Sequence, residues 1–105
     1  MNRQVAECDI HIETWRKKGT ASLKPNTTYT LVIDYPLSRP AEFKIKSGKS
    51  GVDLSNLINK IVDRYYKIYK DEEKYGIWGH CLGDLRLEHI IVDHAKKTIE
   101  LWVGS

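Results

Sequence analysis

The chain reads as an α+β domain in which one long amphipathic helix lies across one face of a mostly antiparallel or mixed five-stranded sheet, in the order β-β-β-α-β-β. Two observations predict this. From Val52 to about Lys70, the residues Leu54, Leu57, Ile58, Ile61, Val62, Tyr65, Ile68 and Tyr69 recur at spacings of three and four. Such spacing places them on one stripe of an α-helix, with Asn56, Asn59, Lys60, Asp63, Arg64, Lys67 and Lys70 mostly opposite. The segments on either side alternate apolar and polar residues with period two, as half-buried strands do. A one-sided helix needs a sheet to cover its stripe, and 105 residues leave room for one domain, 1–105, with a single core.

Taken in order, residues 5–14 place Ala6, Cys8, Ile10 and Ile12 on one face and Glu7, Asp9, His11 and Glu13 on the other. Trp15 follows on the polar side, where it caps the sheet edge or stands exposed. Arg16-Lys17-Lys18-Gly19 and Lys24-Pro25-Asn26 are turn and loop chemistry, so a long loop is expected before the next strand. From Thr28 to Tyr35 the alternation resumes, with Tyr29, Leu31, Ile33 and Tyr35 on one face and Thr28, Thr30, Val32 and Asp34 on the other. Pro36 and Pro40 bracket a turn, because proline sets φ and cannot donate to a ladder. Ala41, Phe43 and Ile45 then face inward and Glu42, Lys44 and Lys46 outward, completing a hairpin.

The helix is punctuated at both ends. Asp53 is placed to accept from first-turn amides as N-cap, and Val52 and Leu57 occupy the positions of a hydrophobic staple. Lys67 and Lys70 suit the negative end of the helix dipole. Glu72 falls back on the apolar stripe, so the helix should stop near it, and Gly76 can end it in the left-handed conformation. Tyr75 to Asp84 has three glycines in ten residues and no period, and reads as an ordered crossover loop held down by Ile77, Trp78 and Leu82. Leu85, Leu87, Ile90, Ile91 and Val92 form a strand whose alternation slips near His89, predicting a bulge or burial on both faces. Asp93-His94-Ala95-Lys96 turns into a last strand with Ile99, Leu101 and Val103 inward and Trp102 outward.

The expected core is Ile10, Ile12, Leu31, Ile33, Phe43, Ile45, Leu54, Leu57, Ile58, Ile61, Tyr65, Ile68, Leu87, Ile99 and Leu101. The hairpin, the helix and the strands after it resemble, in topology alone, the β-grasp arrangement of ubiquitin-like folds. A split ferredoxin-like sheet would want a second helix.

A composition of 41% hydrophobic and 30% charged residues is that of a globular chain and argues against disorder. No apolar run approaches the roughly 20 residues of a membrane span. Met1-Asn2-Arg3-Gln4 leads directly into Glu7 and Asp9, so no signal-peptide core is expected and the expected location is the cytoplasm. Cys8 and Cys81 are then expected to stay reduced, and the glycosylation acceptor Asn26-Thr27-Thr28 carries no weight. The net charge of +3 is unevenly spread. Arg16, Lys17, Lys18, Lys24, Arg39, Lys44, Lys46 and Lys49 face only Asp34 and Glu42, whereas Asp71, Glu72, Glu73, Asp84, Glu88 and Asp93 face only Lys74 and Arg86.

Chemistry-bearing motifs are weak. Gly48-Lys49-Ser50 matches the end of a phosphate-binding loop, but Phe43 stands where the pattern needs its first glycine. Cys8, His11, His80, Cys81, His89 and His94 show no zinc-ligand spacing, so no metal or cofactor is expected; Cys8 reads as buried and the histidines as surface groups. His80, Cys81 and Asp84 could supply base, nucleophile and orienting carboxylate, but no nucleophile motif surrounds them. Trp15 beside Arg16, Lys17 and Lys18 offers stacking and phosphate-neutralising charge for single-stranded nucleic acid, against which the mild net charge counts.

The aromatic excess points elsewhere. Trp15, Trp78 and Trp102 with six tyrosines are generous for one small core, and such residues favour interface hot spots. The expected function is a non-catalytic module that docks a protein partner. It would use an aromatic-bearing sheet face or edge, with Trp15 and Trp102, and the 75–84 loop, with Tyr75, Trp78, His80 and Asp84. A homodimer partner is the alternative cover for that face.

Overall fold

The computed structural model describes residues 3–11 and 15–104, and the side chains of these outside 7–19. Its elements are β1 (Arg3–His11), β2 (Trp15–Gly19), β3 (Thr28–Ile33), β4 (Ala41–Lys46), α1 (Leu54–Tyr69), the single turn α2 (Glu72–Tyr75), β5 (Arg86–Asp93) and β6 (Thr98–Gly104). Five of the strands, and their order around the main helix, are those expected; β2 is an addition. The sheet runs β2-β1-β5-β6-β3-β4. All neighbours are antiparallel except β3 and β6, which are parallel. The β3–β4 hairpin, the helix and a last strand returning parallel to β3 fit the β-grasp-like topology.

Residues 16–18, expected in a loop, instead belong to β2, which pairs with β1 through Ala6/Gly19 to Ile10/Trp15. An edge strand needs no apolar alternation of its own, and cations on an edge discourage pairing with other chains, so Arg16, Lys17 and Lys18 suit one. The loop that remains, 20–27, is also tied down. Leu23 exchanges two backbone hydrogen bonds with Val52, at 2.8 and 3.0 Å, and Ala21 and Leu23 are buried.

Helix α1 forms where its periodicity places it. The Asp53 carboxylate accepts from the Asn56 N–H at 2.9 Å, and the staple residues Val52 and Leu57 are both buried. Leu57, Ile58, Ile61, Tyr65 and Ile68 bury fully against the sheet face carrying Ala6, Tyr29, Leu31, Ile33, Leu87, Ile90, Val92 and Ile99. Phe43 and Leu54 pack beside that core, partly exposed. Of the expected core, the side chain of Ile10 and the whole of Ile12 lie outside the described residues. No described helix is long and apolar enough to cross a membrane.

The helix ends at Tyr69, before Glu72, and one further turn closes on Gly76 at φ +66°. The Ile77 N–H donates to Glu72 O at 3.1 Å and the Gly76 N–H to Glu73 O at 3.2 Å, a Schellman cap. In β5 the register against β6 shifts between Leu87 and His89, and Ile91 is buried on the face away from the helix, so both the bulge and two-faced burial occur. Gly48 closes the turn after β4, with its carbonyl accepting from the Asn26 and Gly51 N–H groups.

Candidate functional site

The loop after the helix is fastened to the turn after β3. Leu37 and Ile77 form an isolated bridge, and both are buried. The Gly76 carbonyl accepts from Ser38 twice, from its N–H at 3.1 Å and its Oγ at 2.9 Å, while Tyr75 O accepts from the Arg39 N–H at 3.2 Å. From the helix below, the Tyr65 hydroxyl donates to Tyr35 O at 2.7 Å. Burial, then the Asp34 carboxylate, pushes that hydroxyl far above its ordinary pKa, so it remains a donor.

This frame corrects one expectation: Trp78 does not hold the loop down. Ile77 plugs the core, and Trp78, the next residue, is 77% exposed. Successive residues of an extended stretch point to opposite sides, so one is buried at the other's expense. Beyond it, the His80 ring packs edge-on against Tyr35 at 5.4 Å. Leu82–Asp84 form a single 3-10 turn closed by the Asp84 N–H on Cys81 O at 3.0 Å; the backbone of Asp84 thus makes the turn. Tyr75 is half-buried, with the Lys74 ammonium over its ring at 5.4 Å.

Trp102 faces away from the helix, as expected, and is 59% exposed. It pairs with His89 across the β5–β6 ladder, the rings edge-on at 4.8 Å. The same face carries Val5 and Ile91, paired across β1 and β5, with Val5 48% exposed. Two shallow concavities, each about 280 Å3, meet at Asp34: one includes Trp102 and Glu100, the other Trp78, His80 and Pro36. The parallel pairing of β3 with β6 brings Asp34, the exposed residue just past β3, alongside Trp102.

The expected site residues therefore divide. Trp78, His80 and Trp102 flank one acidic centre; Asp84 lies in the short turn that ends the same loop, and Tyr75 ends α2 just before it. Trp15, Arg16, Lys17 and Lys18 sit on β2, separated from β6 by β1 and β5, and their side chains lie outside the described residues. Asp34 and His89 were not among the expected site residues. Asp34 has an outward phase at the end of a strand, a usable signal, but its nearness to Trp102 comes from a long-range pairing that no local pattern announces.

Cys81 is an exposed free thiol, and no group of three or more metal-ligating side chains occurs among the described residues. The Tyr69 hydroxyl is pushed up to about 12, mainly by burial and then by Glu72. One histidine expected at the surface is tethered instead. His94 Nε2 lies 2.8 Å from Gln4 Oε1, which only accepts, so Nε2 carries the proton and Nδ1 accepts from the Tyr29 hydroxyl at 2.8 Å. The Ser22 N–H also donates to Gln4 Oε1, and the Lys24 N–H to the Tyr29 oxygen. Burial, then the charge of Lys24, holds His94 below its ordinary pKa. Comparison with protein-family models, curated proteins and solved structures finds no match for this chain.

Proposed function

We propose that this protein is a non-catalytic interaction module that docks a protein partner on the surface joining Trp102 to the 75–84 loop. The observation that carries the reading is two exposed tryptophans, 59% and 77% accessible, on concavities that share Asp34. Tryptophan supplies large contact area at low entropic cost and is enriched where interfaces concentrate their energy. A carboxylate between two aromatic faces suits a partner presenting an apolar anchor beside an arginine or lysine, the cation resting on indole and paired with Asp34. The support beneath the loop is stiff. Ser38, Arg39, Leu37 and Ile77 tie it to the β3–β4 turn, so little ordering cost falls on binding.

The test is a set of single substitutions assayed for both stability and partner retention from native-cell extract. Trp78→Ala and Trp102→Ala should each weaken retention of a specific protein by at least about tenfold, with stability within about 1 kcal/mol of wild type. His80→Ala should weaken it less. If both tryptophan variants retain the partner as wild type does, or lose it only in step with unfolding, the reading fails.

A further inference from the structure

On the edge of the sheet formed by β4, a groove of about 530 Å3 runs between that strand and α1, lined by Ile45, Lys46, Asn59, Lys60 and Arg64 among others. Two independent features meet there. The first is an open ladder. β4 is the last strand on its side, so half of its backbone groups have no neighbour within the sheet. The Ser47 N–H donates to Thr27 O at 3.0 Å, which makes Thr27 and Ser47 a hydrogen-bonded pair. Alternation along the antiparallel register then gives Phe43 and Ile45 the bonds to β3 and turns the N–H and C=O groups of Lys44 and Lys46 outward.

The second feature is charge. Lys60 and Arg64 border the groove from the helix, while Lys44 and Lys46 reach its rim from the strand with their side chains on the sheet face away from the helix, so cations stand on both sides of the β4 edge. The one carboxylate in the lining, Asp63, is engaged by Lys67 at 3.1 Å. Arg64 is already positioned, its guanidinium over the Phe43 ring at 5.2 Å, while the Lys44 ammonium leans on Thr30 Oγ1 at 2.7 Å. Lysines on an edge strand also discourage self-association, and that role would explain Lys44 and Lys46 alone. It explains neither the groove nor the two cations of like sign on the facing helix.

We infer that this groove receives an acidic polypeptide segment in extended conformation, which adds to β4 as a further strand. The segment exchanges ladder bonds with Lys44 and Lys46. Carboxylates two residues apart stand directly across from these lysines as cross-strand pairs. The side chain between them turns the other way, towards Ile45 and the wall formed by Lys60 and Arg64. A nucleic acid strand would satisfy the charges but leave the outward N–H and C=O groups without a ladder partner, which is why the occupant is a polypeptide. This surface is separate from the tryptophan-bearing one, and the two can be tested independently.

The experiment titrates the full chain with a labelled octapeptide alternating aspartate and glutamate, so that carboxylates face Lys44 and Lys46 and, from the intervening positions, Lys60 and Arg64. Saturable binding is expected, with the largest amide shifts at Lys44 and Lys46. Methylating alternate backbone nitrogens of the peptide, which keeps its charge and removes its donors, should weaken binding at least about tenfold. The double variant Lys46→Glu/Arg64→Glu should weaken it by at least as much while its thermal unfolding shows an intact fold. Three results would overturn the inference: no saturation at roughly millimolar peptide, equal affinity for the methylated peptide, or displacement by a single-stranded oligonucleotide of matched charge with equal affinity. The last would make the groove a general polyanion site.

Discussion

Replacing Gly76 with alanine tests how the candidate loop is held. Gly76 has φ +66°, and an added Cβ would clash outright with the Ser38 Oγ. Two costs follow. A side chain in the left-handed region costs about 1–2 kcal/mol. The Ser38 hydroxyl must swing away, giving up its 2.9 Å bond to the Gly76 carbonyl, worth about 0.5–1.5 kcal/mol. Together Gly76→Ala should lose about 1.5–3.5 kcal/mol in urea unfolding. Removing the clashing oxygen first should soften the blow, so Ser38→Ala and Gly76→Ala combined should cost about 1 kcal/mol less than their sum. Strict additivity, or a Gly76→Ala loss below about 0.5 kcal/mol, would refute the packing of this loop on the β3–β4 turn.

Other expectations are as definite. Ile61→Ala, at a fully buried position of α1, should cost about 2–5 kcal/mol by chemical denaturation, and a loss below about 0.5 would mean that the helix does not pack on the sheet. Asp53→Ala should cost about 0.5–2 kcal/mol through loss of the N-cap, with a matching loss of helical circular dichroism on heating. For His94 the folded state favours the neutral ring, so below the ordinary value of 6.5 the unfolded chain binds more protons. Its contribution is therefore complete above about pH 6.5 and is lost as pH falls through the depressed folded value. Unfolding free energy should drop between neutral and mildly acidic pH, and the drop should shrink in His94→Gln; an unchanged pH profile would contradict the tethered neutral ring.

What was legible in the sequence follows the reach of each signal. Helix α1 and its Asp53 cap depend on residues within a turn or two of each other, and both are where the periodicity places them. The β3–β4 hairpin and the bulge at His89 are equally local. β2 was not legible, because Arg16, Lys17 and Lys18 carry no alternation and only the neighbouring β1 makes a strand of them. Which of Ile77 and Trp78 holds the loop down is not legible, because an aperiodic loop has no phase and the burial of Ile77 decides which way its neighbour turns. Leu23 and His94 were passed over for the same reason: their partners, Val52 and Gln4, are remote in sequence. The candidate site inherits this split, since Trp102 could be placed outward from its strand alone, whereas its meeting with Asp34 requires the parallel β3–β6 pairing.

The most direct test of the docking surface is amide chemical-shift mapping of the chain with the protein recovered by the wild type and lost by its tryptophan variants. The account predicts that the perturbed residues cluster at Asp34, Trp78, His80, His89 and Trp102, with the indole N–H signals of both tryptophans among the largest shifts. Perturbations confined to β2 or to the exposed face of α1, with both indoles unmoved, would contradict it.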